Sequence, residues 1–564
     1  MIDKIKEKIE VAAIKSGIEK PIVYIEHPDD ISHGDFSTNI ALIYAKEKKE
    51  NPKSLAEKIC KELNKDLPDD IESINTAGPG FINFKIKDKY FFDQIELIKE
   101  NKNFGKNEKA KREKVMVEYT DPNPFKVFHI GHFMSNAIGE SISRLIEFSG
   151  RDVKRANWQG DVGPHVAKAI FGAKILLKEG SKFAGIEFWG EAYKIGASRY
   201  EEDISAKKEI DEINKKIYER NDIEINNLYD KGRKESLESF ERIYKKLGTK
   251  FDHYFFEGIE GRKGELVVKD FLKKGIFEES EGAIIFPGEK YGLHTRVFIT
   301  SKGLPTYETK EIGLNKEKFK IYPDLARSII ITANEQSDYF NVLLKVFSFI
   351  DKNISEKTKH ISHGMMRFAS GKMSSRTGNV ISLEDMMSRT EDLVASKMKD
   401  RNFEKEEMNE IKSNVALAAM KYAVLRQAIG GDIIYDEEKS LSFEGDSGPY
   451  LQYACVRANT VLTKAKEIGI KNEIKETPDK ISNLEKMLVR FPEIVNKANV
   501  EYAPHHVVTY LTLLASLFNS YYAENQIIDI KNPLSPYRVA TTAAFTNVMK
   551  NGLWLLGIKV PERM

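Results

Sequence analysis

Residues 115–150 read VMVEYTDPNPFKVFHIGHFMSNAIGESISRLIEFSG. The stretch opens on an apolar, β-branched run that predicts a strand over Val115–Thr120. A loop rich in proline and asparagine follows. Ile138, Ile142, Leu145 and Ile146 then recur on one face of a helix that Gly150 ends, and Val153–Ala156 is the next strand candidate. Strand, helix and strand in that order predict a parallel unit of a doubly wound sheet, and so a Rossmann-type α/β domain. His129-Ile130-Gly131-His132 stands where the strand gives way to the helix. Unpaired N–H groups and the helix dipole make that turn the usual anion site of such sheets. Gly131 removes a side chain that would block a nucleotide, and the two imidazoles can donate to phosphate oxygens as charge builds up. The plain alternative, His129 packed under the loop and His132 at the surface, is the common fate of a lone histidine. A pair at such a turn, in a chain with 11 histidines, weighs against it.

Outward from this stretch the chain divides into three. Residues 1–105 mix helical stretches (Asn39–Lys48, Pro52–Asn64) with short strands (Ile71–Asn75, Gly80–Ile86), which predicts a small α+β domain ending in a polar, lysine-rich joint. Residues 106–400 form the α/β domain, with a largely helical insertion over about 175–290 whose charged runs at helical spacing read as solvated helices. Residues 401–564 are almost entirely amphipathic helix, predicting an all-α bundle that ends in Val507–Tyr522 and Pro536–Gly557, with Trp554 in its core.

The totals set outer limits. A length of 564 residues exceeds one compact core, and 88 basic against 86 acidic side chains exclude a simple polycationic binder. Two cysteines, Cys60 and Cys455, exclude a disulfide framework and a cysteine-built zinc site. The opening MIDKIKEKIEVAAIK lacks the apolar core of a signal peptide, and no run approaches the roughly 18–20 apolar residues of a membrane span. A cytoplasmic protein without membrane contact is expected.

About 240 residues after the histidine pair stands Gly371-Lys372-Met373-Ser374-Ser375-Arg376, a loop sequence in which Lys372 offers a point charge for leaving phosphates. Alone it would read as a basic surface loop. Together the two motifs match the HIGH and KMSKS signatures of class I aminoacyl-tRNA synthetases, the first letter for letter. The second departs: Ser375 falls on the family's second lysine, and Arg376 follows one place later. Val117-Glu118-Tyr119-Thr120-Asp121-Pro122-Asn123, Asn157-Trp158-Gln159-Gly160-Asp161 and Thr306-Tyr307-Glu308-Thr309-Lys310-Glu311 narrow the resemblance to the arginyl-tRNA synthetase family. LSFEGDSGPYLQYACVR and NGLWLLGIKVPERM resemble that family's anticodon-binding domain, and GDFSTNIAL and AGPGFINF its extra N-terminal domain.

The resemblance implies a role for each of these residues. His129, Gly131, His132, Lys372 and Arg376 would serve catalysis, with His129, Gly131, His132, Lys372, Met373, Ser374 and Ser375 on ATP. Glu118, Asn123, Asn157, Asp161, Glu257, Tyr307, Glu311 and Gln336 would hold arginine. Glu311 and Glu257 would face the guanidinium fork to fork, with Tyr307 flanking it. Glu311 stands where the family often has Asp, and Asp121 where it has Ser. Phe81, Asn83, Tyr450, Gln452, Tyr453, Arg457, Arg563 and Met564 would meet tRNA. Other readings stand beside these: surface ion pairing for Glu311 and Glu257, turn caps for Asn157 and Asp161, bundle core for Tyr450 and Tyr453. The partners implied are arginine, ATP with magnesium and tRNA(Arg), with no protein-bound zinc and a monomeric enzyme. Competing functions are a nucleotidylyltransferase, a synthetase-like RNA-binding protein without activity, and another class I synthetase such as the cysteinyl or glutamyl enzyme. The long helical C-terminal half, the intact histidines and Lys372, and the acidic pocket with no zinc cluster weigh against these in turn.

Overall fold

The computed structural model describes residues 1–28, 30, 33–107, 112–368, 381–399 and 403–564. Its central feature is a five-stranded sheet of β1 (Lys114–Glu118), β2 (Asp152–Gln159), β3 (His253–Phe256), β4 (Leu325–Ala333) and β5 (Thr358–His363). The order across the sheet is β5-β4-β1-β2-β3, and every neighbouring pair is parallel. This is the doubly wound arrangement, and the chain's two directions of winding part between β1 and β4. Ligands of such sheets bind there, beyond the carboxyl ends of the strands.

Side chains alternate between the two faces of β1. On one face Met116 joins Trp158, Phe255 and Leu314 in an apolar cluster. Leu314 belongs to the helix Tyr307–Ile321, whose Glu311, Leu314, Asn315 and Lys318 recur at helical spacing and are all buried. Glu118 lies on the same face as Met116 and meets Lys318 at 2.7 Å. The strand's period therefore sends Glu118 beneath the sheet, toward that helix. Tyr119 packs instead on the helix Ile130–Phe148: a Cβ at Gly139 would stand 2.2 Å from the tyrosine ring, so only glycine admits this approach.

The stretch read as one insertion over 175–290 is interrupted. His253–Phe256 pairs parallel with β2 and forms the edge of the main sheet. Before it, the helices Ile186–Glu202, Ile204–Glu219 and Ile223–Leu247 bury Trp189, Ile210, Ile213, Ile217 and Leu228 in a core of their own. Isoleucines three and four apart put an apolar stripe on helices that their charge made look wholly solvated.

In the helical C-terminal part, Trp554 is 39% exposed, not core; it lies 5.2 Å beneath the Arg144 guanidinium. The same arginine caps the end of the Ser535–Leu555 helix through the Trp554 carbonyl at 2.8 Å. Cys455 is buried and unpaired, its thiol pushed up to about 12 by that burial.

The chain forms two compact units, and the strands and helices above belong to the second, 103–461 with 490–525 and 546–564, except the Ser535–Leu555 helix, whose residues up to Phe545 fall in the first. The first comprises Met1–Lys102 with Leu462–Val489 and Gln526–Phe545. Its three-stranded antiparallel sheet places Phe81–Ile86 between Phe36–Thr38 and Ile71–Ala77. Two stretches of the helical C-terminal part join this unit through polar anchors. Lys486 pairs with the buried Asp35 at 2.7 Å, and the Tyr537 hydroxyl donates to Glu485 at 3.0 Å. Among the described residues no helix is long and apolar enough to cross a membrane.

Candidate active site

Beyond the carboxyl ends of β1 and β4 lies a cleft of about 800 Å³, lined by Thr120 and Asp121 on one side and Ile331, Thr332 and Ala333 on the other. His129, Gly131 and His132 form its third wall, Gln336 and Glu335 its rim. The turn after β1 is held in an uphill conformation: Thr120 and Asp121 have φ of 81° and 46°. A β-branched residue there is a genuine outlier and persists only under external restraint. The restraint is visible. Ser135 accepts the Thr120 N–H at 2.9 Å and donates to the Ile331 carbonyl, while Asn136 donates to the Thr120 hydroxyl at 3.0 Å. One serine thus ties β1 to β4 across the switch point.

His129 is the N-cap of the helix Ile130–Phe148. Its Nδ1 accepts the Gly131 N–H at 3.1 Å, and the Nδ1 of His132 accepts the His129 N–H at 3.2 Å. The two rings stack with centroids 3.6 Å apart. Both Nδ1 atoms are acceptors, so the hydrogen-bond network puts each ring's proton on Nε2. Burial and Lys126 push His129 down to about 4, and burial with the neighbouring ring holds His132 well below its usual range. Both rings are therefore neutral donors near neutral pH. Of the helix's first N–H groups, that of Gly131 is spent on the cap, and each imidazole keeps an Nε2–H donor. A Cβ at Gly131 would meet the His129 ring at 3.0 and 3.1 Å. Glycine here makes room for the imidazole.

Three family models match the chain: tRNA synthetases class I (R), catalytic domain, over residues 94–436; the DALR anticodon binding domain over 451–564; and the arginyl tRNA synthetase N terminal domain over 1–86. The chain belongs to the arginyl-tRNA synthetase family. It is 34% identical to the arginine–tRNA ligase of Fusobacterium nucleatum, over 94% of this chain and 93% of that one. The Borrelia hermsii arginine–tRNA ligase is 29% identical over 100% and 98% of the two chains. In fold it is similar to the arginyl-tRNA synthetase of Thermus thermophilus, with TM-score 0.81, 23% identity and full coverage of both chains. The Plasmodium falciparum enzyme gives TM-score 0.78 at 19% identity, covering 100% and 99%.

Within this family member the acids that sequence singled out gather beneath the cleft, and most are already engaged. Glu118, 1% exposed, pairs with Lys318. Glu257 pairs with Lys310 at 2.6 Å, both side chains 5% exposed, and the carboxylate holds the ammonium well above its usual range. Lys310 also lies 4.9 Å over the Tyr307 ring, which is otherwise exposed. Asp161 accepts from Tyr229 at 2.9 Å, Arg233 at 3.1 Å and the Gly258 N–H at 2.9 Å. Asn157, fully buried, donates to the Tyr119 carbonyl at 3.1 Å and accepts from Gln159. Asn123 sits against Gly160, where a Cβ would be 2.1 Å from its Oδ1 and 3.3 Å from a Glu257 oxygen. Asp121, whose partner sequence left open, accepts the Trp158 N–H at 2.7 Å. Among the described residues Glu311 accepts only from Asn315, one turn along its own helix, at 3.0 Å. Sequence reading passed over Lys310, Lys318 and Asn315. The i+4 and i+7 spacing from Glu311 was the signal available for two of them.

Lys372, Met373, Ser374, Ser375 and Arg376 lie outside the described residues. Arg367 lines the cleft, and Ser382 bridges to His129.

The residues implied to meet RNA divide by exposure. Phe81 is 37% exposed; Asn83 is buried and accepts from Ser37 at 2.7 Å. Gln452 is fully buried, donating to the Asn414 and Lys559 carbonyls. Arg457 lies 4.7 Å over Tyr453 and 5.2 Å over Tyr522 and donates to Asn519, which donates to the Tyr450 hydroxyl. Arg563 pairs with Glu407 at 3.5 Å, while Met564 is buried in an apolar cluster with Val394 and Ile411.

Proposed function

We propose that the cleft at the switch point binds ATP against the His129–His132 pair, with arginine beside it over the buried acids. The chain activates arginine with ATP and transfers it to tRNA, the reaction that its relatives' name, arginine–tRNA ligase, states. The arginine carboxylate attacks the α-phosphorus in line, giving the adenylate and pyrophosphate, so catalysis rests on positioning and charge stabilisation. The two neutral Nε2–H donors meet phosphate oxygens as their charge grows, with no proton to lose first. The stacked, capped histidine pair carries this reading, because among the described residues its hydrogen bonds leave one free donor per ring. ATP brings magnesium with its phosphates. Glu335, exposed on the rim, is an oxygen donor hard enough for its water shell.

Glu311 and Tyr307 take the guanidinium, and Gln336 closes over it. Glu118 and Asn123 orient the α-amino and carboxylate groups, while Asn157 and Asp161 brace the floor. For tRNA, Phe81 offers its ring to an unstacked base, and Tyr450, Tyr453, Arg457 and Arg563 meet the anticodon loop. Asn83, Gln452 and Met564 support these contacts from within. The enzyme acts as a cytoplasmic monomer. Aminoacylation of total tRNA with each amino acid in turn tests the assignment. Arginine alone should be charged; charging by lysine or glutamate and not arginine overturns it.

A further inference from the structure

The buried polar layer under the cleft has an unbalanced charge. Glu118 has Lys318 at 2.7 Å, and Glu257 has Lys310 at 2.6 Å. Asp121 accepts the Trp158 N–H at 2.7 Å, yet burial and the Glu118 carboxylate hold it well above the usual carboxylate range, so it adds no charge that a cation must balance. Glu311 is 5% exposed, and among the described residues no cation is bonded to it; its one side-chain donor is the Asn315 amide. The groups that face it confirm the shortage. Glu118 and Asp121 approach from β1 and its loop, Glu257 from the helix Glu257–Lys273, and the Tyr339 phenol from the helix Ser337–Ile350. Lys318 lies on its own helix but belongs to Glu118. Arg296, behind the same helix, is taken by Glu308 at 3.3 Å. Burial without a cation favours the neutral acid.

We propose that Glu311 holds a proton in the arginine-free enzyme and releases it to solvent when the substrate's guanidinium enters. This rests on the reading of Glu311 as the guanidinium's acid and adds to it. The step balances simply: the carboxylic acid loses H+ to water, and the carboxylate left behind pairs with the incoming cation. Burial and the Glu118 carboxylate push Glu311 up to about 8, consistent with that order. Arginine affinity is then coupled to pH through Glu311.

Calorimetric titration of the full chain with L-arginine, at one pH in two buffers of different ionisation enthalpy, counts the protons. Close to one should leave per arginine at pH 7, falling toward zero above pH 9, and the Kd should drop about tenfold from pH 6 to pH 7. The Glu311→Gln variant should bind arginine more weakly, with no proton release and a flat pH dependence. Arginine bound by the native chain with no proton released, or equally tightly at pH 6 and 9, overturns the proposal and leaves the functional reading standing. No arginine binding at any pH defeats both.

Discussion

Lys310 Nζ lies 2.6 Å from a Glu257 oxygen and 4.9 Å from the centre of the Tyr307 ring. A lysine of this chain thus rests on the acid and the aromatic face that its sequence offers to a guanidinium. The consequence for stability is direct. Lys310→Met leaves a buried carboxylate without its partner and should cost about 3–5 kcal/mol. Adding Glu257→Gln should recover most of it. Urea denaturation of the single and double variants measures both; equal stability of the two would show that the pair is not coupled.

The histidines should act as donors, not as titrating groups. His129→Asn keeps a cap acceptor but moves the donor, and should lower kcat by about 10²–10³-fold with arginine Kd little changed. Between pH 6 and 9, kcat should show no step from an imidazole, since His129 is held down to about 4. A loss of activity centred near pH 6.5 would contradict the neutral pair.

The same depression has a stability sign. An unfolded histidine takes a proton as pH falls through 6.5, while the buried His132 does not. The native chain should therefore lose stability on going from pH 7 to pH 5, and His132→Asn should lose less. Thermal unfolding at the two pH values reads the difference.

Gly131→Ala places a methyl group 3.0 Å from the His129 ring. The imidazole must shift by a few tenths of an ångström, and kcat should fall about tenfold, since small misplacements of reacting groups are costly. The substitution should leave the melting temperature nearly unchanged. A large drop in melting temperature with normal kcat would reverse this account of the glycine.

Asp161→Asn sets an amide donor against the donors Tyr229 and Arg233. A loss of about 1–3 kcal/mol is expected from the mismatch. Arginine binding by the folded variant should stay near native, and a selective loss of binding would return Asp161 to the substrate.

The parts of this molecule legible in sequence are those with a strong local period. β1, the helix behind it and β2 show theirs plainly, and the histidine pair falls at their junction. β3 and β5 do not: HYFF is four residues beside a charged helix, and TKHISH has no apolar alternation. The ionic layer was harder still. Glu118 and Lys318 are 200 residues apart, and only the sheet's strand order brings them together. Exposure was misread where charge masked spacing, as in Ile210, Ile213 and Ile217, and where helical spacing with Leu553 and Leu556 suggested burial, as in Trp554.

The run from Thr120 to Phe125 has three non-glycine residues with positive φ, the last seated against Trp189 and tied through its N–H to Ser236. Each such residue sits roughly 1–2 kcal/mol above a relaxed backbone. An engineer seeking a hardier enzyme would find this turn an inviting target. Relaxing it with glycine would free the very corner that spaces β1 from the imidazoles. Gains in heat resistance are better sought far from it, on the solvent side of the outer helices, where nothing reactive depends on the exact path of the main chain.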